Sequence, residues 1–276
     1  MCEPNEIVLS LVCPTLHDPS EFINELITKA ENVKPSNSLN TINLWKKIEL
    51  VIVSPEPFNL AQFKDYRLTQ VKDEKNGIYR ALNAGIEQAS GTYVLVMNID
   101  DFINLAKAIE VIEKHQNRNP DAIYGDTILK DDTQDLQIHI TGSVDPMTIR
   151  KARMPASHQS QLIARREYLE LNCFETHKKF FFFKIELKYA SDFDFYCRSI
   201  KSNGSWILDS TLIAYQKMGG TTSRYWLRTT LEIIVISLLH RNDKFKSLPS
   251  LARNFAGAIR FHAPRQRHRK RVTNEK

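Results

Sequence analysis

Asn98, Asp100 and Asp101 stand directly after Tyr93-Val94-Leu95-Val96-Met97, so an amide and two carboxylates close a run that reads as a strand buried on both faces. Such a pair suffers desolvation and mutual repulsion unless a cation or polar ligand offsets both. A divalent metal carrying phosphates is the simplest offset. Ions such as Mg2+ take one or two protein carboxylates and complete their shell with phosphate oxygens and water. In open α/β sheets, ligands sit outside the carboxyl ends of the strands, where this pair falls. The competing reading has Asp101 capping a helix that begins near Phe102 or Ile103, with Asp100 solvated. These residues alone leave both readings open.

Further along the chain, Asp192 and Asp194 lie in Ser191-Asp192-Phe193-Asp194-Phe195, which reads as the start of a helix, where a carboxylate faces unpaired N–H groups. Their i, i+2 spacing points them to different helix faces, so only one can aim into a cleft. His158-Gln159 precedes the apolar Leu162-Ile163-Ala164 and is either a ligand contact or a satisfied structural pair. The aromatic run from Phe180 to Phe183 reads as core.

The elements that must carry these groups follow from periodicity and breakers. Ile7 to Cys13 is a first buried strand stopped by Pro14, and Ser20 caps a helix from Glu21 to about Asn32. Residues 35 to 40 form a polar linker. Ile48 to Val53 is a second strand, and Leu68 to Val71 a short third. Gly77 opens a helix with Ile78, Leu82, Ile86 and Ala89 on one face, stopped at Ser90-Gly91. Gly85, inside that helix, costs about 1 kcal/mol relative to Ala and so implies close packing or close ligand approach. A helix follows from about Leu105 to Arg118, then a short strand Ala122 to Tyr124 ending in Gly125-Asp126. Strand, helix and strand on short connections predict parallel βαβ units. A strand near Trp206 to Tyr215, a loop at Gly219 to Ser223 and a helix from about Trp226 to Leu239 complete the expected body.

The 276 residues suffice for one large or two small domains, and 42% apolar with 25% charged residues is ordinary for a soluble globular chain. Between Arg265 and Lys276, six basic residues against Glu275 carry +5 of the net +6, so the remainder is near neutral. That argues against a nucleic-acid groove across the body. Cys2, Cys13, Cys173 and Cys197 lack both the density of a disulfide framework and zinc-ligand spacing, which predicts reduced thiols. Neither a secretory leader nor an apolar run of about 18 residues is visible, which predicts a cytoplasmic protein.

An apolar strand ending in Pro14-Thr15, the Gly77-Ile78-Tyr79-x-Ala81-x-Asn83-x-Gly85-Ile86 helix, Ala89-x-Gly91-x-Tyr93 and the strand ending in Asn98-x-Asp100-Asp101 resemble the family 2 inverting glycosyltransferases of GT-A fold. Tyr124-Gly125-Asp126, His158-Gln159, Asp192-Phe193-Asp194 and Gly219-Gly220-x-x-Ser223 follow in the same order, and the likeness covers roughly residues 7 to 225. It implies an α/β, GT-A-like (Rossmann-related), mostly parallel sheet flanked by helices. The nucleotide-binding half would run to about residue 126 and the acceptor half from 127 to 225, with a C-terminal helical extension and basic tail over 226 to 276.

Carried over by position, the resemblance implies Asp101 as the metal-holding residue for Mn2+ or Mg2+. Pro14, Thr15, Asp73, Asn83 and Asp100 become donor contacts, His158 and Gln159 contacts to acceptor or diphosphate, and Asp192 the general base, with Asp194 the alternative. The implied substrates are a nucleotide diphosphate sugar, a UDP-sugar first, and a saccharide or lipid-linked acceptor in surface polysaccharide assembly. Two departures bear on the donor. Ser54-Pro55-Glu56-Pro57 stands where many members carry an Asp and a Gly-Ser turn, and Lys75-Asn76 precedes Gly77 where an Asp is common.

The mixed apolar and basic stretch from Leu251 to Phe261 and the basic cluster after it read either as a segment on an anionic bilayer surface, with peripheral association at the inner face of the membrane, or as a solvated tail on a helix packed against the body. Two other readings stand beside the transferase. A nucleotidyltransferase would also use paired carboxylates, but lacks here a Gly-rich basic phosphate loop. A catalytically degenerate sugar-nucleotide- or RNA-binding protein would rest on the basic tail.

Overall fold

A computed structural model describes residues 7–32, 41–74, 76–131, 136–142, 156–180, 183–217 and 224–240. The expectations for the 35–40 linker, the Gly219 to Ser223 loop, residues 181 and 182 of the aromatic run and everything beyond His240 lie outside these residues.

The alternation of side chains in the first strands decides the layering. In β1 (Leu9–Pro14), β2 (Ile48–Ser54) and β4 (Tyr93–Val96), every strand residue but Pro14 is buried, so both faces of the sheet are covered. Leu9, Leu11, Leu50, Ile52, Tyr93 and Leu95 point into one core, and Val12, Val51, Val53, Val94 and Val96 into the other. The first core is closed by α1 (Ser20–Asn32), α2 (Thr41–Lys46) and α4 (Leu105–His115), through Ile23, Leu26, Leu44, Ile109 and Ile112. The second is closed by α3 (Ile78–Gln88), α5 (Arg165–Glu170), α6 (Ser191–Lys201) and α7 (Trp226–His240), through Leu82, Ile86, Tyr168, Phe193, Phe195 and Ile236.

Between these layers lies a nine-stranded sheet in the order β3-β2-β1-β4-β8-β6-β11-β5, with β7 alongside β6. The remaining strands are β3 (Leu68–Lys72), β5 (Phe102–Ile103), β6 (Ala122–Asp131), β7 (Leu136–Ile140), β8 (Gln161–Ala164) and β11 (Trp206–Lys217). β9 (His177–Phe180) and β10 (Phe183–Glu186) form a separate hairpin. Strands β3, β2, β1 and β4 are mutually parallel. β8 then runs antiparallel to both β4 and β6, while β11 is parallel to β6. The sheet is therefore mixed, parallel where the βαβ pattern is clear and mixed beyond it. β6 runs straight through residue 126, so the two halves share one sheet.

Local details differ from the sequence expectation in instructive ways. Helix α1 begins at Ser20 itself, and Asp18 rather than Ser20 supplies the capping oxygen, accepting from the Ser20 N–H at 2.8 Å. A Cβ on Gly85 would lie 2.5 Å from Val12 Cγ1 and 2.7 Å from Val53 Cγ2, so its glycine lets α3 press onto β1 and β2. Gly91 is required by close approach as well: a Cβ there would meet Ser10 Oγ at 2.5 Å and the Ser10 nitrogen at 2.7 Å. Buried Glu49 ties this corner by accepting from Ser10 Oγ, Ser90 Oγ and the Ser90 N–H. The parallel strands are thereby aligned with their carboxyl ends at one edge, where the candidate residues gather.

Candidate functional site

The carboxyl ends of β1, β2 and β4 form one rim, continued by the turn after β3. On it lie Pro14-Thr15, Ser54, Asp73 and the Asn98 to Asp101 segment. The Thr15 N–H donates to Val53 O, and its hydroxyl is engaged with His17, donating to His17 O at 2.7 Å. The Asp73 N–H donates to Ser54 O at 2.8 Å, joining the ends of β2 and β3. Ser54 Oγ donates to Glu56 O, which sets the Ser-Pro-Glu-Pro turn in place of a glycine-rich one.

After β4 the chain turns through Asn98 to Asp101 and enters the two-residue strand β5 before α4 begins. The residue capping α4 is Asn104, whose side chain accepts from the Lys107 N–H at 3.0 Å. Asp101 is therefore not the cap of α4, although Asp100 is solvated as the competing reading has it. Asp101 is 5% exposed, whereas Asp100 faces solvent. Asn98 Nδ2 donates to Asp101 Oδ2 at 2.8 Å. Burial pushes the Asp101 carboxyl up; Asn98 pulls it back, Asp100 raises it further, and His158 and Gln159 lower it. Cys13, buried beneath, is pushed up to about 12 by burial and by Asp101, which makes it an inert neutral thiol.

His158 and Gln159 sit in a 3-10 turn (His158–Ser160) leading into β8. His158 Nδ1 lies 3.6 Å from Asp192 Oδ2, and the ring is also near enough to Asp101 to help hold that carboxyl down. Gln159 is 1% exposed; its Oε1 is engaged by Ser157 Oγ, and among the described residues its Nε2 makes no hydrogen bond of ordinary geometry, though it reaches toward Asp101 and helps hold that carboxyl down. A buried donor so loosely paired beside a buried carboxylate is a place where ligand oxygen fits.

Asp192 opens α6. It accepts from Tyr79 Oη at 3.1 Å and from the Phe193 N–H at 2.9 Å, and its side chain retains 21% exposure. Asp194, two residues on, faces the opposite way and is fully buried. It lies 2.9 Å from Arg198 Nε, 3.1 Å from Lys178 Nζ and 2.8 Å from His240 Nε2. Burial pushes its carboxyl up, but the hydrogen bond with His240 and the charges of Lys178 and Arg198 outweigh that and hold it below the ordinary range. An acid so neutralised holds elements together and has no access to substrate.

The structure thus brings Asp101, His158, Gln159 and Asp192 into one cluster, with Asp100, Pro14, Thr15 and Asp73 along the adjoining rim. Asn83 is not among them. Its carboxamide accepts from the Phe174 N–H at 2.9 Å and donates to Phe174 O at 2.8 Å, so both ends are spent pinning the 171–176 segment to α3.

Two contributors escaped sequence reasoning. Tyr79 lies within the Gly77-Ile78-Tyr79 motif, yet nothing in its spacing tells that its hydroxyl reaches across 113 positions to Asp192. Glu232, from α7, is 4% exposed and accepts the consecutive N–H groups of Lys188, Tyr189 and Ala190, at 3.1, 2.8 and 3.1 Å to Oε2. With His240 on Asp194, it fastens α7 to the segment that presents Asp192. A lone Glu in an apolar helix was the available signal. Among the described residues no group of three or more His, Cys, Asp or Glu forms a metal cage, so any hard ion here must complete its shell from ligand and water.

Comparison with known proteins gives the cluster its context. The family described as Glycosyl transferase family 2 matches residues 21–186, more than half of the chain. No curated protein matches it in sequence. Among solved structures, Staphylococcus aureus TarS residues 1–349 superimposes with a TM-score of 0.55 at 16% identity, covering 92% of this chain and 72% of that one. The same fragment in complex with UDP-GlcNAc gives 0.55 at 17%, with the same coverage. The mannosyltransferase PcManGT from Pyrobaculum calidifontis, in complex with GDP-Man and Mn2+, gives 0.53 at 14% identity over 93% of this chain and 76% of its own. At these identities the likeness shows a common fold.

Proposed function

The chain belongs to glycosyl transferase family 2, and from that premise we propose that it transfers a sugar from a nucleotide diphosphate sugar to a saccharide or lipid-linked acceptor with inversion, Asp192 acting as general base. The observation that carries this reading is the cluster itself: a buried Asp101 at a strand's carboxyl end, with His158 near it and 3.6 Å from the half-open Asp192.

In a single displacement the acceptor hydroxyl oxygen bonds to the anomeric carbon as the bond to the diphosphate oxygen breaks, and the hydroxyl proton goes to the base. Asp192 suits the last task, since Tyr79 and the Phe193 N–H fix one carboxylate oxygen while the other faces His158. It lies beyond the matched residues 21–186, so the role rests on the resemblance in sequence order, with the geometry in support. Asp101 is the residue that would hold Mn2+ or Mg2+, and its buried carboxylate and the loosely paired Gln159 Nε2 beside it fit a cation bearing diphosphate. Such an ion, when bound, would stabilise charge on the departing diphosphate. Asp100, exposed on the same turn, and the Pro14, Thr15 and Asp73 rim would receive the nucleoside. Support for the donor class and the ion comes from the fold relatives seen with UDP-GlcNAc and with GDP-Man and Mn2+. A UDP-sugar remains the first donor to test, and the departures at Ser54 and Lys75 are the reason to test GDP beside it.

Among the described residues no helix is long and apolar enough to cross a membrane. We keep the cytoplasmic, peripheral placement as part of the proposal; the basic segment that motivates it lies outside the described residues. The test is a comparison of wild type with Asp192→Asn. Transfer should fall by several orders of magnitude while nucleotide affinity stays within about twofold; unimpaired transfer by the variant would remove Asp192 from the base role.

A further inference from the structure

Helix α7 is apolar on two sides and packed on one. Thr229, Glu232 and Ile236 are buried against the body, and Glu232 and His240 fasten the helix to the 188–190 segment and to Asp194. At about 100° per residue, Leu227, Leu231, Ile234 and Leu238 lie within roughly 60° of one another on the opposite side. Leu227 and Leu231 are 47% and 50% exposed, and Ile234 and Leu238 are half-buried. Single exposed leucines are ordinary on any protein surface. A helix apolar all round belongs buried all round, however, and this line of four leaves that requirement unmet.

Charge decides what covers the line. The chain leaving α7, Arg241 to Lys276, carries eleven Lys and Arg against Asp243 and Glu275, a net +9, while residues 1–240 together carry −3. Arg241, Lys244 and Lys246 follow the helix end within six residues, hence no farther than about 20 Å from it. Residues 218–223, ahead of the helix, carry no charge. A second copy on this face would set the same positive segment against itself. The segment in turn finds no carboxylate on the outer side of α7, because Glu232, the helix's one acid, is buried and accepts the N–H groups of residues 188–190. An anionic bilayer answers both features: its headgroups take the positive charge and its acyl boundary takes the leucines. Near the start of the line the Arg228 guanidinium lies 5.5 Å from the Tyr189 ring, which stacks on Tyr225 at 5.0 Å, a pairing suited to the headgroup level. Arg228 also meets Glu232 at 3.5 Å and Glu186 at 4.0 Å, so the face itself supplies apolar contact and the chain after it supplies charge.

We propose that the outward line of α7 docks the protein on an anionic bilayer, with Leu227 and Leu231 entering the headgroup boundary. This names the docking face for the peripheral placement kept above and rests on it. Docked so, α7 holds the segment ahead of Asp192 one helix diameter, about 10 Å, from the headgroups, which suits a lipid-linked acceptor. Flotation of the full chain with vesicles of phosphatidylcholine alone, and of phosphatidylcholine mixed with phosphatidylglycerol, tests it. The expected result is binding to the anionic vesicles on the order of tenfold tighter or more, weakening with added salt. Leu227→Gln/Leu231→Gln should lower that affinity on the order of tenfold or more, with melting temperature and the affinities for UDP and GDP unchanged. A double variant that floats like wild type would overturn the docking face and leave the peripheral placement to the basic segment. Wild type that binds neither vesicle would overturn both, and equal binding to the two would overturn the anionic surface. A lower melting temperature in the double variant would assign the line to the chain's own C-terminal residues, and a wild-type dimer split by the variant would assign it to a second copy; either result overturns the proposal.

Discussion

Substituting Glu232 by Gln isolates how the C-terminal helix governs the base. Glu232 is buried and its carboxylate receives three successive backbone N–H groups just ahead of Ser191 and Asp192. A hydrogen bond to a charged group contributes about 1.5–3 kcal/mol and a neutral one about 0.5–1.5 kcal/mol, so three bonds together lose about 3 kcal/mol when the charge is removed. Relief of the cost of burying that charge offsets part of the loss, leaving roughly 1–3 kcal/mol. For a domain of this size each kcal/mol moves the melting temperature by about 2–4 °C, so a fall of roughly 2–12 °C is expected by scanning calorimetry. The functional readout separates positioning from general damage. The 188–190 segment should relax and take Asp192 with it, lowering kcat on the order of tenfold, because small misplacements of a reacting group are costly. Nucleotide affinity, set on the far rim, should change by less than about twofold. An unchanged melting temperature with unchanged kcat would refute the coupling of α7 to the base, and a parallel loss of nucleotide affinity would reduce it to global destabilisation.

Other consequences follow from the same geometry. Asp194 sits below the ordinary carboxylate range in the folded protein, so its contribution to stability is complete above the unfolded value of about 3.9 and is lost as pH falls through the depressed one. Melting temperature should drop steeply below pH 4 in wild type and less steeply in Asp194→Asn; parallel curves would contradict this. Asn83→Ala should lower stability by about 1–3 kcal/mol through loss of its two bonds to the Phe174 backbone, with nucleotide affinity unchanged. Weakened nucleotide binding at unchanged stability would instead return Asn83 to the donor set.

What the sequence made legible tracks the reach of the interactions involved. The parallel strands β1 to β4 and the helices between them follow from apolar periodicity and breakers, because both cores are built by residues two or three to four apart, whereas the GT-A-like fold came from the resemblance of motifs in order. Adjacent residues of distinct chemistry, Asp100-Asp101 and His158-Gln159, lie after β4 and ahead of β8, where the candidate site is proposed. The mixed character of the sheet beyond β4 was not legible, since β8 and β11 insert by long-range pairing that no local pattern encodes. For the same reason Tyr79 and Glu232 escaped notice. Their partners lie 113 and about 43 positions away, and neither side chain announces its direction. Asn83 misled in the opposite sense, because a polar residue inside a recognisable motif reads as a ligand contact until its backbone partner is seen. Asp192 and Asp194 were separable from spacing alone, but only packing tells which one faces the interior.

The central claim is that Asp101 builds a metal-assisted nucleotide site at the end of β4. Titration of UDP and GDP into the protein with and without Mn2+, repeated on Asp101→Ala, tests it most directly. The account predicts binding of one nucleotide that strengthens at least tenfold with Mn2+ and loses that dependence in the variant. Equal affinity with and without the ion, or a variant indistinguishable from wild type, would contradict it.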